Sequence, residues 1–307
     1  MKLRYWLFLL LCNLLWAGNM VTGKYVVTEF TPLWITFLRW AISIVILFPI
    51  AHFYEKPDWK MVIKQSWLKL AFMGILGIVL FNILTYSALK YTSSTNASLV
   101  SALNPAIIMI LSVFLLKERM TFVQIMGLII SFFGVVVILT QGNPLQILYT
   151  NYNKGDLLML GVDLSWAVYS IMGKKMTGVP PITATAISSC IGVLMMLPFL
   201  FNEPLQFNKI TTHGIAGIVY IALFASVCAF VLWNISVRSL GAGKASISLN
   251  LIPIYTAVIN LLLGKHLDQA QIWGGLIVLA GMLLTSNIFK QKREAVNFTI
   301  PKVHQAK

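Results

Sequence analysis

The chain has 307 residues, of which 58% are hydrophobic and only 10% charged, with a formal net charge of +14. A water-soluble domain carries about 25% charged residues, so this composition excludes an ordinary globular fold and assigns the length to membrane spans of about 20 apolar residues each. The basic residues lie in short segments between apolar runs, a pattern that fits orientation signals and an anionic lipid surface and argues against a nucleic-acid partner.

Apolar stretches bounded by charges predict an all-α membrane protein with ten transmembrane helices, at 5–26, 33–52, 67–88, 94–116, 122–140, 155–173, 182–201, 214–236, 245–264 and 271–289. The opening Met1-Lys2-Leu3-Arg4 has the look of a signal peptide. Its apolar run continues to Val27 without a small-x-small cleavage site, so it reads as the first span. Ser246, Ser248 and Asn250 weaken the start of the ninth span, and residues 290–307 form a polar, basic tail suited to anionic lipid. Cys12, Cys190 and Cys228 lie in apolar runs without CxxC or Cys/His spacing, which gives neither a disulfide framework nor a zinc site.

With the N-terminus inside, the cytoplasmic segments collect most of the lysines and arginines, from Lys2 and Arg4 through Lys117, Arg119, Lys174 and Lys175 to the tail. The external side holds only Lys24, Lys90, Lys154, Lys209 and Lys265, and Arg39 lies within a span. The positive-inside rule then predicts a multi-pass protein with both termini cytoplasmic.

The chain also matches itself. At an offset of 148, Lys90 meets Arg238, Ala97-Ser98 meets Ala245-Ser246, Pro105 meets Pro253, and Gly127-Leu128-Ile129 meets Gly275-Leu276-Ile277. An offset of 150 aligns Trp16-Ala17 with Trp166-Ala167 and Lys24 with Lys174. The predicted organisation is a first repeat over 1–140, an external linker over 141–154, a second repeat over 155–289 and the tail over 290–307. Five spans are an odd number, so the second repeat would enter the membrane from the opposite side, the arrangement of many secondary transporters.

These features resemble the drug/metabolite transporter superfamily, specifically its EamA-type members with ten helices. The residues that carry the likeness are Leu15-Trp16-Ala17-Gly18, Phe37-Leu38-Arg39-Trp40, Tyr86-Ser87-Ala88-Leu89-Lys90-Tyr91, Asn104-Pro105 and Leu116-Lys117-Glu118-Arg119. Leu164-Ser165-Trp166-Ala167, Ala245-Ser246 and Pro253 repeat much of this in the second half. Gly264-Lys265-His266 departs from the family's usual Gly-Glu before the last helix. The resemblance implies a plasma-membrane carrier of small metabolites, amino acids or drugs, more often an exporter than an importer.

Ionisable groups inside spans are costly and mark functional sites. Arg39 lies about six residues into the second span and Asp163 about eight into the sixth, roughly 9 and 12 Å from the same face. They are expected to meet directly or through a substrate. One reading is a structural ion pair. The other has Arg39 facing a substrate carboxylate and Asp163 holding a proton or a substrate's cationic group, so that Asp163 also serves coupling. Helical spacing puts Asn13, Trp16, Ala17 and Met20 on one face of the first span, and Asp163, Trp166, Ala167 and Ser170 at the repeat-related positions of the sixth, with Tyr169 beside them. Asn82, Tyr86, Asn96, Asn104, Trp233, Asn234, Asn250 and Tyr255 add amides and aromatic rings that suit either interhelical hydrogen bonds or a pocket for a small solute. Pro105 and Pro253 interrupt the backbone ladder inside spans and are candidate gating kinks.

The partners expected are a small-molecule substrate and the lipid bilayer. No HExxH, GxSxG or phosphate-binding loop occurs, which argues against an enzyme, a cofactor or direct ATP driving; a non-transporting membrane scaffold and an intramembrane enzyme are the alternatives.

Overall fold

The computed structural model describes residues 3–92, 97, 100–149, 153–264 and 269–286, and among these no strand forms. In chain order the helices are α1 (Leu3–Val26), α2 (Pro32–Glu55), α3 (Trp59–Tyr91), α4 (Asn104–Leu116), α5 (Phe122–Leu139), α6 (Lys154–Lys175), α7 (Pro181–Leu200), α8 (Thr212–Leu240), α9 (Ala242–Leu262) and α10 (Gln269–Ser286). Eight of them are long and apolar enough to cross a membrane; α4 and α10 are shorter apolar helices within the described residues. Asn96, Ser98, Lys265, His266 and the 290–307 tail lie outside those residues.

Two boundaries differ from the sequence expectation for identifiable reasons. Helix α3 begins at Trp59 and not near 67, because the Asp58 side chain caps it by accepting the Met61 N–H at 3.0 Å. Lys60 and Lys64 therefore ride on an extension of the helix. At 1.5 Å per residue its 33 residues span roughly 50 Å, beyond the ~30 Å hydrocarbon core. The prolines are also placed differently. Pro105 stands in the first turn of α4, and Pro253 follows a tight 3-10 turn at Ile247–Asn250 where α9 resumes its α-helical course at Leu251. Neither kinks a running helix; each sits where a helix restarts and its missing N–H is not needed.

The surface is inverted relative to a water-soluble protein. Phe114, Phe122 and Val45 are at least 70% exposed, while Asn13, Thr36, Arg39, Ser43, Asn82, Asp163, Ser188 and Asn234 are buried. Lipid solvates the apolar shell, and the polar side chains turn inward to one another.

Helices from the first half of the chain pack antiparallel against helices from the second. In α1 and α8, Tyr5 meets Ser236, Trp16 meets Ala225 and Val26 meets Gly217. In α3 and α6, Leu76 meets Ser165 and Ala88 meets Gly155. Helices α5 and α10 cross at glycines, Gly127 against Gly281 and Gly134 against Gly274. A Cβ on Gly281 would stand 2.5 Å from the Gly127 carbonyl oxygen, and one on Gly274 2.7 Å from that of Gly134. Backbones this close are the usual basis of helix association in lipid.

Among the described residues three helices contain wide π-helical turns: α2 ends in one at Ala51–Glu55, and those at Gly74–Leu80 in α3 and Ile221–Cys228 in α8 are related by the same offset of about 148 seen in the sequence. A wide turn stretches the backbone bond to i+5, as in the Phe81 N–H to Leu76 carbonyl bond, and side chains of the opposite half also reach its carbonyls. Trp16 Nε1 donates to the Ala225 carbonyl at 3.0 Å and Ser165 Oγ to the Leu76 carbonyl at 2.8 Å, with donor and acceptor both shifted by 149 positions.

Gly281→Ala is expected to force α5 and α10 apart and cost about 1–3 kcal/mol by overpacking. Gly275→Ala, whose Cβ would meet only the Ile254 side chain at 3.8 Å or beyond, is expected to be neutral or stabilising by up to about 1 kcal/mol through helix propensity. Thermal unfolding in detergent separates the two.

Candidate functional site

The middle of the bundle is aromatic. Helical spacing aims Asn13, Trp16 and Ala17 inward from α1, and Asp163, Trp166 and Ala167 inward from α6; all six are buried. Trp16 and Trp166 meet edge-on with ring centroids 5.1 Å apart, and Trp233 tilts against both at 5.5 Å. Phe230 stands edge-on to Trp16, Trp166 and Trp40, while Phe81 and Tyr169 close on Trp166. Trp16 and Trp166, at matching positions of the two sequence stripes, are in contact with each other, and pairs of this kind contribute about 0.5–1.5 kcal/mol beyond their buried area.

Two polar networks flank the aromatic layer, displaced toward opposite ends of the helices. One end carries Glu29, after α1; the other carries Glu55, at the end of α2. Toward the Glu29 face, Arg39 is 2% exposed. Its Nε donates to Ser226 Oγ at 2.8 Å, and its Nη1 to Asn82 Oδ1 at 2.7 Å and Tyr86 Oη at 3.0 Å. Tyr86 donates onward to Asn19 Oδ1 at 3.3 Å, and the Asn82 amide is anchored on the Gly77 and Ile78 carbonyls of the wide turn. Toward the Glu55 face, Asn234 Nδ2 donates to Tyr169 Oη at 2.8 Å and to Thr185 Oγ1 at 3.0 Å, and Trp233 Nε1 to Ser170 Oγ at 3.3 Å. The Asn234–Tyr169 bond occupies the repeat-related position of the Tyr86–Asn19 bond, since Asn234 follows Tyr86 by 148 residues and Tyr169 follows Asn19 by 150. Among the hydrogen-bonded side chains of the two networks only Arg39 is charged.

Asp163 is 1% exposed. Its Oδ1 accepts the Asn104 side-chain N–H at 3.0 Å, while its Oδ2 and the Asn104 Oδ1 accept nothing among the described residues. Asn13, one turn from Trp16 on the other side of the aromatic layer, donates to the Leu9 carbonyl at 2.6 Å and Ser248 Oγ at 2.9 Å, and its Oδ1 is likewise without a donor. Leaving a buried acceptor unmade costs about 1–3 kcal/mol.

Arg39 and Asp163 do not form the expected ion pair. Helix α3 stands between them: Asn82 turns to Arg39 while the adjacent Phe81 lies against Trp166. Each charge is held by neutral groups. The sequence stripes missed Asn19, Ser226, Phe230 and Ser248. Asn19 lies three residues past Trp16 and Phe230 three before Trp233, so helical spacing alone reaches both. Ser226 and Ser248 are single serines in serine-containing helices and carry no such signal.

The family model of the EamA-like transporter family matches residues 3–140 and 153–287, and the chain belongs to that family. It is 29% identical over 271 residues to "Uncharacterized transporter YyaM" of Bacillus subtilis (strain 168), covering 87% of this chain and 88% of that protein. It is 26% identical over 232 residues to a "Probable terminal-alkyne amino-acid exporter" of Streptantibioticus cattleyicolor, covering 74% and 75%. A solved crystal structure shares the fold at a TM-score of 0.77 and 18% identity, over 96% of this chain and 100% of the other. The protein is thus a multi-pass membrane transporter of this family, set in lipid and handling a small molecule.

Asn82→Leu removes a short bond to a buried cation and is expected to destabilise the protein by about 1.5–3 kcal/mol; Tyr86→Phe, which leaves Arg39 its bonds to Asn82 and Ser226, should cost less. Unfolding in detergent measures both. Equal, small losses would mean that these side chains do not hold the guanidinium.

Proposed function

We propose that this chain is a secondary active carrier that exports small amphoteric metabolites of the amino-acid class across the plasma membrane. In this reading it has ten spans in two inverted five-helix halves, with both termini cytoplasmic, and works by alternating access between them. The supporting observation is the pair of buried, unpaired charges beside an aromatic layer built from both halves. Arg39 meets only neutral acceptors, and Asp163 keeps one oxygen without a donor. A buried guanidinium without a carboxylate is disfavoured in a low-dielectric interior and gains most from an anion brought to it. Arg39 then binds the substrate carboxylate, and Asp163 carries the proton or the substrate's ammonium group. The aromatic rings of Trp16, Trp166 and Trp233 separate to admit the side chain.

The antiparallel pairing of equivalent helices, the matched wide turns and the two stretches matched by one family model all favour inverted halves. The relative named as an amino-acid exporter favours the substrate class. Both are expectations of a carrier and not of a membrane scaffold.

The test is uptake and counterflow of amino acids in proteoliposomes. Flux should saturate and respond to a pH gradient. Arg39→Gln should raise the half-saturation concentration at least about 30-fold, the equivalent of 2 kcal/mol for a buried charged contact. Asp163→Asn should abolish the response to the pH gradient. Normal affinity and normal pH response in both variants would overturn the reading.

A further inference from the structure

Four carboxylates join the two halves at the helix ends, outside the networks above. On the Glu29 face, Glu29 accepts the Thr211 backbone N–H and hydroxyl, both at 2.8 Å, at the start of α8. Thr92, just past α3, donates to Asp156 in the first turn of α6. On the Glu55 face, Glu55 accepts the Ile182 and Thr183 N–H groups at 2.9 and 2.7 Å and the Thr183 hydroxyl at 2.7 Å, at the start of α7. Glu118, between α4 and α5, accepts the Ala242 and Gly243 N–H groups at 3.1 and 3.3 Å, at the start of α9.

Glu29, Glu55 and Glu118 are N-caps supplied from across the molecule, whereas Asp156 completes its own helix's capping box by accepting the Asn153 N–H at 2.7 Å. A helix start exposes unsatisfied N–H groups and a positive dipole end, normally met by a Ser, Thr, Asp or Asn just before it. Helices α7 and α9 have Pro180 and Gly241 there, neither of which provides a side-chain acceptor. Gly241, at φ +95°, turns the chain into α9 beside the Glu118 carboxylate. The second half thus leaves two helix starts open, and residues more than 120 positions earlier close them. At Glu29 the Thr211 N–H holds the carboxyl below its ordinary range.

We propose that the three capping glutamates are the gates of the transport cycle, with Glu29 closing one face and Glu55 together with Glu118 closing the other. The inference rests on the carrier reading and adds which residues set accessibility. Rocking of two halves about their centre separates the helix ends most and the central aromatic layer least. The bonds at the ends must therefore release first. They lie where water can replace them, so each can open at little net loss, which the buried Arg39 network cannot do. Opening to one face releases that face's caps while the opposite caps hold.

The test measures distances by double electron–electron resonance on the full chain in nanodiscs, with the native cysteines replaced. Nitroxide pairs at Thr28→Cys with Asn208→Cys report the Glu29 face, and Lys56→Cys with Thr177→Cys the Glu55 face; all four sites are exposed. Glu55→Ala combined with Glu118→Ala should shift the Glu55-face distance longer by about 5 Å, one helical turn, and leave the other face unchanged. Glu29→Ala should do the converse. The Glu→Gln variants keep one acceptor oxygen and should shift less in the same direction, and they carry the test if an alanine variant does not fold. Unchanged distances, or lengthening on both faces in every variant, would overturn the gates. Amino-acid flux without face-specific shifts would overturn the gates alone. Face-specific shifts without flux would count against the carrier reading alone.

Discussion

A carbonyl inside a membrane has no water to turn to, and one without a donor costs several kcal/mol. The wide turns at Gly74–Leu80 and Ile221–Cys228 present carbonyls at the centre of the bundle that side chains of the opposite half also reach. Trp16 reaches Ala225, Ser43 reaches Ala222 at 3.0 Å, and Ser165 reaches Leu76. The irregular backbone therefore sets where the halves touch and which rings meet. Satisfying those carbonyls aims the Trp16 indole into the core, where it meets Trp166, Phe230 and Trp233. Gly77, within the first wide turn, leaves room for the Tyr169 ring against the backbone.

The same turns position the charge. Asn82 is anchored on the carbonyls of the first wide turn and Ser226 on the Ile221 carbonyl of the second, and these two side chains hold Arg39. The guanidinium is consequently fixed by dipoles and not by a counter-ion. The network related to it by the repeat offset, around Tyr169 and Asn234, is bonded through neutral groups, with Arg238 one turn beyond Asn234 donating to the Val179 carbonyl.

Much of the fold is legible in the sequence because lipid imposes simple rules: long apolar runs, charges between them and few charges within. The internal sequence match is visible in Trp16-Ala17 against Trp166-Ala167 and in Pro105 against Pro253. The wide turns are not, because Gly74-Ile75-Leu76-Gly77 reads as ordinary helix in an apolar window. The extension of α3 was hidden by lysines, which stop a span without stopping a helix. At the site, Arg39 and Asp163 are conspicuous as buried charges, but their lack of contact depends on where α3 runs, which no local pattern encodes. Glu29, Glu55 and Glu118 look like loop residues, and their caps become visible only when helices more than a hundred residues away start beside them.

The central claim is that the Arg39 guanidinium is kept free of any internal carboxylate so that a substrate can provide one. Asn82→Asp delivers that carboxylate from within, at a side chain that already touches Arg39. The direct measurement is the shift in thermal unfolding of the purified protein by amino acids, which stabilise the state they bind. The account expects an amino acid that raises the unfolding temperature of the natural protein to lose that effect in Asn82→Asp, while the unliganded variant is at least as stable as the natural protein at neutral pH. Equal stabilisation of both proteins by the same amino acid would contradict it.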